Sequence, residues 1–206
     1  MKPAAYDSSM TTAVPTRSAA AEDRIRGLIL VAGMVVVMWV LEVVDALGAH
    51  LDDDGIHPRD VDGLPGIVSA PFLHAGWSHL IGNTIPFLIL GCTIALGGLA
   101  RTAAVTAIVA LTAGLGTWLI GPAHTNHIGA SGVVFGFATY LVARGIFSRR
   151  PLHLVAGIGV IAVYGATLAF SLLPHPGISW QGHLFGAVGG IVAARALDRT
   201  RRAAAP

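Results

Sequence analysis

Six long stretches of this 206-residue chain are almost free of charged side chains, and each has about the length needed to cross a hydrocarbon core of roughly 30 Å. A backbone surrounded by lipid must satisfy its hydrogen bonds internally, so each stretch is predicted to be an α-helix. We therefore predict an all-α fold, a polytopic membrane helical bundle of six transmembrane helices. The predicted spans are 27–47, 79–99, 102–121, 128–143, 152–173 and 180–197.

The distribution of positive charge predicts the orientation of this bundle. Six spans place both termini on one side of the membrane, and all 13 Lys and Arg residues except Arg59 fall on that side. Because cytoplasmic flanks carry the excess of positive charge, both termini are predicted to be cytoplasmic, in a multi-pass protein of the cell (plasma) membrane. No basic stripe is interleaved with aromatic residues, so we expect no nucleic-acid partner. The richness in Ala and Arg is typical of a bacterial chain from a GC-rich genome.

Polar segments are predicted to flank one membrane domain. Residues 1–23 are rich in Ala, Ser and Thr and lack the apolar core of a cleavable signal, which indicates a disordered cytoplasmic N-terminal tail. Residues 24–198 contain all six predicted spans. Residues 199–206 are interpreted as a short basic cytoplasmic C-terminal tail.

Polar residues interrupt three of the predicted spans, although polar groups are costly in lipid. His79 and Asn83 lie in the second span, Ser131 follows Gly129 in the fourth, and His183 lies at the start of the sixth. All three spans run from outside to inside in the predicted topology. Counting inward to the next arginine gives about 20 Å for the serine and about 18 Å for the histidine of the sixth span. Both side chains are therefore expected at one depth, in a water-filled cavity below the outer surface.

Glycine spacing predicts which helices approach closely. Glycines recur every four residues in the fourth and sixth spans, at Gly132 and Gly136 and at Gly182, Gly186 and Gly190. Small residues at this spacing allow helix backbones to come into contact in membranes. Such a contact would bring Ser131 towards His183, although ordinary small-residue packing explains the glycines equally well.

The same residues suggest nucleophilic catalysis. A serine hydroxyl needs a base to take its proton, and a neutral imidazole is the usual base, so Ser131 and His183 fill the two roles. The resulting oxyanion needs hydrogen-bond donors, which Asn83, His79 and the backbone N–H of the serine could supply. No carboxylate lies in these spans to orient the base, so a dyad is predicted.

The polar residues allow two other interpretations. Glu42 and Asp45 lie three residues apart at the end of the first span and are expected to cap or pair locally. Several histidines could also suggest a metal site: His74, His79, His124, His127 and His183. The chain has no His-Glu-x-x-His motif and no suitably placed carboxylate ligand, so no metal is predicted.

At these positions the chain resembles the rhomboid family of intramembrane serine proteases. The matching stretches are residues 74–83, with His79 and Asn83 four apart, the Gly-Ala-Ser-Gly run that contains Ser131, and Gly182-His183 before the glycine-rich last span. Together with six spans in the same order, the resemblance covers about residues 25–197.

The resemblance implies Ser131 as nucleophile, His183 as general base, and Asn83 and His79 as oxyanion-stabilising residues. It also places Gly129 with the oxyanion-stabilising residues, as the glycine that lets the loop backbone approach the site. Its substrates would be single-span transmembrane proteins within the lipid bilayer, and hydrolysis would need no cofactor. The resemblance gives no oligomeric state.

The chain departs from the family pattern in two places. Phe135 stands where many members carry a tyrosine that stacks beside the catalytic histidine, so stacking would be kept and a hydroxyl lost. The first outer loop lacks the Trp-Arg pair of many relatives. The alternative function is a catalytically inactive rhomboid-fold protein that binds membrane clients, while a transporter is disfavoured because no charged residue lies at the midplane of a span.

Overall fold

The computed structural model describes residues 17–148 and 150–203. Within these residues the chain forms seven α-helices, joined by loops and short helical turns. The helices are α1 (Arg17–Val44), α2 (Gly66–Ser69), α3 (Trp77–Ala95), α4 (Leu99–Ile120), α5 (Ser131–Ser148), α6 (Pro151–Ser171) and α7 (Trp180–Ala203). The predicted all-α bundle is confirmed.

Five of these helices, α1, α3, α4, α5 and α6, are long and apolar enough to cross a membrane. Helix α7 coincides with the predicted sixth span but is not among the five in the described part of the chain. Its first turn contains Gln181 and His183, and its middle is rich in glycine, so it is less hydrophobic than the other long helices. Because α7 packs chiefly against α4 and α5, much of its surface faces protein rather than lipid.

The helices differ strongly in burial. Most of α5 is buried, including Phe137 and Tyr140, and its neighbours are α7 and α6. Helix α6 lies at the edge of the bundle, packs mainly against α5, and buries only Gly157 and Val160. Its exposed face carries apolar side chains such as Ile158, as expected of a surface in contact with lipid.

Two predicted boundaries change. Helix α1 begins at Arg17, so residues 17–23 are helical and the prediction of a disordered tail through residue 23 is wrong for them. Ala, Glu and Arg are strong helix formers, and they extend the apolar helix towards the N-terminus. Residues 1–16 lie outside the described residues. At the other end α7 continues through Ala203 into the predicted C-terminal tail, and residues 204–206 lie outside the described residues.

The loop between α1 and α2 is tied to the neighbouring loop between α4 and α5. The backbone of Ile56 pairs with that of His127 through two hydrogen bonds of 3.0 Å. Arg59, the basic residue predicted to lie on the outer side, donates to the carbonyl oxygens of Leu119 and Gly121 at 3.2 and 2.8 Å. A cation at a helix C-terminus satisfies its last carbonyl groups, so this arginine fastens the loop to the end of α4.

Candidate active site

Helix α5 begins at Ser131, directly after a loop that presses against α3. Gly129 in that loop has φ +112°, a conformation that L side chains rarely adopt. A Cβ at this glycine would lie 2.6 Å from Cε1 of His79 and 3.5 Å from Nδ2 of Asn83. Glycine is therefore required both by the backbone and by the space, and it brings the start of α5 against the two polar residues of α3.

Helices α5 and α7 meet through their glycines, as the spacing predicted. A Cβ at Gly186 would collide with the carbonyl oxygen of Gly132, and one at Gly190 would collide with that of Gly136. Backbone therefore lies directly against backbone along this contact. Thr139 adds a hydrogen bond of 2.9 Å to the carbonyl oxygen of Ala187 across the same interface.

The close contact places Ser131 beside His183. Oγ of the serine lies 2.8 Å from Nε2 of the histidine, and Nδ1 of the same ring lies 2.8 Å from the carbonyl oxygen of Ser171. A carbonyl oxygen can only accept, so Nδ1 carries the hydrogen of the neutral ring and Nε2 has a free electron pair. The hydroxyl of Ser131 therefore donates to Nε2, which is the arrangement a general base requires.

Phe135 lies against the same imidazole. The two rings are stacked, with centroids 4.1 Å apart and an angle of 4° between their planes. Phe135 is one turn along α5 from Ser131, so a single helix carries both the hydroxyl and the aromatic surface that face His183. The ring is thus held by stacking on its face and by hydrogen bonds at both nitrogens.

Two hydrogen-bond donors from α3, His79 and Asn83, lie near Gly129 and line the same cavity as Ser131. His79 accepts the backbone N–H of Ala75 at Nδ1, at 3.3 Å, so its hydrogen is on Nε2, which faces Gly129. Asn83 is 6% exposed, and its Nδ2 has no hydrogen-bond partner among the described residues. A buried donor without a partner is costly, so its presence beside Ser131 indicates a site prepared to bind an acceptor.

The backbone N–H of Gly129 is not free to stabilise an oxyanion, contrary to the prediction that places Gly129 among the oxyanion-stabilising residues. Its N–H donates to the carbonyl oxygen of Ala70 at 2.8 Å and is therefore occupied. The glycine contributes by lacking a side chain. The N–H of Ser131 remains, because the first residues of a helix have no intrahelical acceptor for their N–H groups.

His74 supports the loop from behind. It is 1% exposed, and its Nε2 accepts the N–H of Ala130 at 3.4 Å. Burial, together with the neighbouring ring of His79, lowers the pKa of His74 to about 4. The imidazole is therefore neutral near pH 7 and can act as the acceptor that holds the residue before Ser131.

The predicted cavity is present, with a volume of about 890 Å³. Ser131, His183, His79 and Asn83 all line it, and the loop 172–179 between α6 and α7 forms part of its wall. Many of the lining side chains are polar, so the cavity can hold water within the bundle. A water molecule in the cavity can therefore reach the hydroxyl of Ser131.

A second serine–histidine pair lines the same cavity. Oγ of Ser179 lies 2.8 Å from Nδ1 of His127, and Nε2 of that ring lies 2.8 Å from Oγ1 of Thr125. Thr125 uses its own hydrogen on the carbonyl oxygen of Pro122, so it accepts from His127 and the histidine accepts from Ser179. Residue spacing alone did not reveal this pair, because both residues lie in loops.

The remaining candidates lie apart from this site. Asp45 accepts the N–H of Asp52 at 3.2 Å, in line with local pairing, and neither it nor Glu42 is among the residues that line the cavity. No group of three or more His, Cys, Asp or Glu side chains in the described part of the chain could hold a metal ion. His124 lines a different surface cavity, together with His57.

Comparison with known proteins identifies what the chain is similar to. The family model for the Rhomboid domain matches residues 63–199. The uncharacterized protein Rv1337 of Mycobacterium tuberculosis is 46% identical over 179 residues, which cover 82% of this chain and 75% of the relative. The uncharacterized protein ML1171 of Mycobacterium leprae is 42% identical over 186 residues, 85% of this chain and 73% of the relative. A Bacillus subtilis protein named "Putative rhomboid protease YdcA" is 29% identical over 128 residues, 61% of this chain and 63% of the relative.

Proposed function

Because the chain belongs to the rhomboid family of multi-pass membrane proteins, we propose that it is an intramembrane serine endopeptidase that uses Ser131 and His183 as a catalytic dyad. The observation that carries this proposal is the 2.8 Å hydrogen bond from Oγ of Ser131 to Nε2 of His183, in a ring whose tautomer is fixed by the Ser171 carbonyl. The bond joins a nucleophile to a base that is already oriented to accept its proton.

The first half of the reaction forms an acyl-enzyme. As Oγ of Ser131 attacks the carbonyl carbon of the scissile peptide bond, its proton passes to Nε2 of His183. The carbonyl oxygen becomes an oxyanion, which Nδ2 of Asn83, Nε2–H of His79 and the backbone N–H of Ser131 stabilise. When the tetrahedral intermediate collapses, the C–N bond breaks and His183 gives its proton to the leaving amine.

The second half of the reaction uses water from the cavity. His183 takes a proton from the water as its oxygen attacks the ester carbonyl, and the same donors bind the second oxyanion. The ester C–O bond then breaks, Oγ of Ser131 regains a proton from Nε2, and a carboxylic acid leaves. The reaction consumes one water molecule and regenerates the enzyme.

Ser131 is the better nucleophile candidate of the two lining serines whose hydroxyls contact a histidine. It lies at the N-terminus of α5, where the helix dipole and free N–H groups favour negative charge. It also lines the same cavity as Asn83, a buried donor whose Nδ2 has no partner among the described residues and lies near Gly129, two residues before Ser131. Ser179 lies in a loop, and its histidine partner ties that loop to Thr125.

The proposed substrates are single-span transmembrane proteins of a bacterial plasma membrane. The excess of arginine at the end of the bundle opposite Ser131 supports a cytoplasmic location for that end and for both termini. Ser131 would then lie below the opposite, outer surface. A substrate helix that unwinds there exposes a peptide bond to the dyad.

The dyad is tested by labelling the purified protein in detergent with a serine-directed fluorophosphonate, and by following cleavage of a single-span substrate in vesicles. We expect Ser131→Ala to lose both activities and His183→Ala to lose nearly all of both. Ser179→Ala is the matched control, since it removes the other serine that contacts a histidine in the same cavity, and it should still be labelled.

These variants also distinguish the alternative function, an inactive rhomboid-fold protein that binds membrane clients. A cooperative thermal transition shows whether the parent protein is folded. If the folded parent protein is neither labelled nor active, the client-binding function is favoured. Labelling that survives Ser131→Ala but is lost in Ser179→Ala would identify Ser179, paired with His127, as the nucleophile.

A further inference from the structure

The second serine–histidine pair in the cavity repeats the spacing of the proposed dyad. Ser179 and His127 are 52 residues apart, and so are the two members of the dyad. Each member of the second pair lies four residues before a member of the dyad, His127 before the serine and Ser179 before the histidine. Two hydrogen bonds of 2.8 Å therefore join the same two segments of the chain, one bond in the first turns of α5 and α7 and the other ahead of these helices.

His127 belongs to a loop whose backbone is held on the side away from α7. Its N–H and carbonyl oxygen pair with Ile56 at 3.0 Å, and the N–H of Gly129 donates to the carbonyl oxygen of Ala70 at 2.8 Å. These bonds hold the segment that leads to Ser131 against the residues on either side of α2. They do not reach α7, the helix that carries the proposed base.

Ser179 stands directly before α7, which begins at Trp180. Its carbonyl oxygen accepts the N–H of His183 at 3.1 Å, in the first turn of that helix. Its side chain also lies against this turn, because a Cβ at Gly182 would be 3.2 Å from Oγ of Ser179. One residue therefore sets the start of α7 with its main chain and contacts the loop before α5 with its hydroxyl.

The direction of the bond between the two segments is fixed by the state of the His127 ring. Burial, together with the neighbouring His57, lowers the pKa of His127, so the ring is neutral near pH 7. Thr125 accepts the single N–H of the ring at Nε2, which leaves Nδ1 to accept from Ser179. The contact is therefore a directed hydrogen bond between two side chains that are each held by further contacts.

The dyad lies between this bond and the glycine contact of α5 with α7. Towards the middle of the helices, a Cβ at Gly186 would collide with the carbonyl oxygen of Gly132, so backbone lies against backbone there. At the other end the chain leaves both helices, and the bond from Ser179 to His127 joins the two segments. A displacement of about 1 Å between reacting groups can lower a rate about 10²-fold, so a contact at this end bears directly on the dyad.

We propose that Ser179 and His127 are positioning residues, which hold the start of α7 against the segment before α5 and so keep Ser131 and His183 at hydrogen-bond distance. This role rests on the proposed dyad, because the second pair acts through those two side chains and not on the substrate. Neither Ser179 nor His127 exchanges a proton with the substrate in this role.

The time course of fluorophosphonate labelling separates positioning from stability. A misplaced dyad reacts slowly but completely, whereas a partly unfolded protein reacts at the parent's rate to a lower endpoint. We expect Ser179→Ala and His127→Leu each to lower the labelling rate constant and kcat about tenfold, the scale of one lost hydrogen bond, with the endpoint and KM nearly unchanged. The double variant should lose no more than either single one, because both substitutions remove the same bond. Ser179→Thr, which keeps the hydroxyl, should recover most of the rate.

Asn126→Ala is the matched control. Asn126 is adjacent to His127 and lines the same cavity, and its Nδ2 donates to the carbonyl oxygen of Asp52 at 2.6 Å, a bond that leads away from α7. Its loss should leave the labelling rate constant unchanged. Equal slowing by Asn126→Ala and Ser179→Ala would overturn the proposal in favour of general loop stability. A lower endpoint at the parent's rate, or a rise in KM alone, would overturn it as well.

The imidazole of His183 provides a test that needs no turnover. In protein prepared with isotope-labelled histidine, the nuclear magnetic resonance of Nε2 reports whether the ring accepts a hydrogen bond. Ser131→Ala should move this resonance to the position of a free acceptor, Ser179→Ala should move it part of the way, and Asn126→Ala should leave it in place. An unmoved resonance in Ser179→Ala would overturn the positioning role. If a folded parent protein is inactive and the resonance still moves as expected, the proposed function fails and the positioning of the pair stands.

Discussion

Asn83 offers the sharpest test of how the candidate active site works. Its Nδ2 is buried and has no hydrogen-bond partner among the described residues, so this donor is available to an oxyanion that forms in the cavity. A hydrogen bond that forms only with the oxyanion stabilises the transition state and not the bound substrate. Asn83→Ala should therefore lower kcat and leave KM nearly unchanged.

The size of the effect follows from the number of donors. Removing one oxyanion donor costs about 2.7–4 kcal/mol, or a factor of roughly 10²–10³ in kcat. His79 and the N–H of Ser131 remain, so Asn83→Ala should keep residual activity above that of Ser131→Ala. Asn83→Leu, which conserves the shape, should lose activity similarly. Asn83→Asp should lose more, because a carboxylate places negative charge beside the oxyanion.

Replacing Asn83 by an apolar residue should lower activity but should not lower the stability of the fold. A buried donor without a partner costs about 1–3 kcal/mol, and replacing it by an apolar group of the same shape removes that penalty. The free energy of unfolding of Asn83→Leu should therefore equal or exceed that of the parent. The assay is the rate of cleavage of a single-span substrate, together with thermal unfolding in detergent. Ser78→Ala, which removes another polar group from the lining of the same cavity, should keep kcat. An unchanged kcat in Asn83→Ala, or a rise in KM alone, would refute the role of this amide.

Two further predictions concern packing and pH. Gly186→Ala places a Cβ against the carbonyl oxygen of Gly132, so it should cost about 1–3 kcal/mol and reduce fluorophosphonate labelling, whereas Gly159→Ala, with nothing within 4 Å, should be neutral or stabilising in thermal unfolding. Equal behaviour of the two variants would contradict the proposed contact. Burial lowers the pKa of His74 from 6.5 to about 4. As the pH falls, the unfolded chain therefore binds a proton at this residue before the folded protein does, and the free energy of unfolding decreases between these two values. His74→Gln cannot titrate but keeps an acceptor for Ala130, so its free energy of unfolding should fall less over this window, and parallel pH profiles would refute the argument.

The pairing of Ser131 with His183 could be predicted because it depends on features that repeat along the sequence. Polar residues in apolar spans are conspicuous, their depth follows from the helical rise, and glycines four residues apart predict close helix contact. The stacking of Phe135 on His183 was implied by the family resemblance and not by the spacing of residues. Charge and hydropathy alone sufficed for the all-α bundle. The lower hydropathy of α7 can also be read from its residues, whereas its packing against α4 and α5 cannot.

Other parts of the site could not be predicted, because they depend on where loops meet. The bond between His74 and the N–H of Ala130 joins residues 56 apart in the sequence, and the pair formed by His127 and Ser179 joins residues 52 apart. Neither contact follows a helical period. The hydrogen bond from the Gly129 N–H to the Ala70 carbonyl oxygen could not be predicted either, because every non-proline residue carries the same backbone donor.

The carbonyl of Ser171 that orients His183 has a consequence for how the chain can change. In a triad, a single substitution can remove the carboxylate that orients the histidine. Here the orienting acceptor belongs to the main chain, so it is retained whichever amino acid occupies position 171. Point mutation therefore reaches this contact only indirectly, by shifting the end of α6, and selection at the position would act on backbone geometry and leave the side chain free to vary.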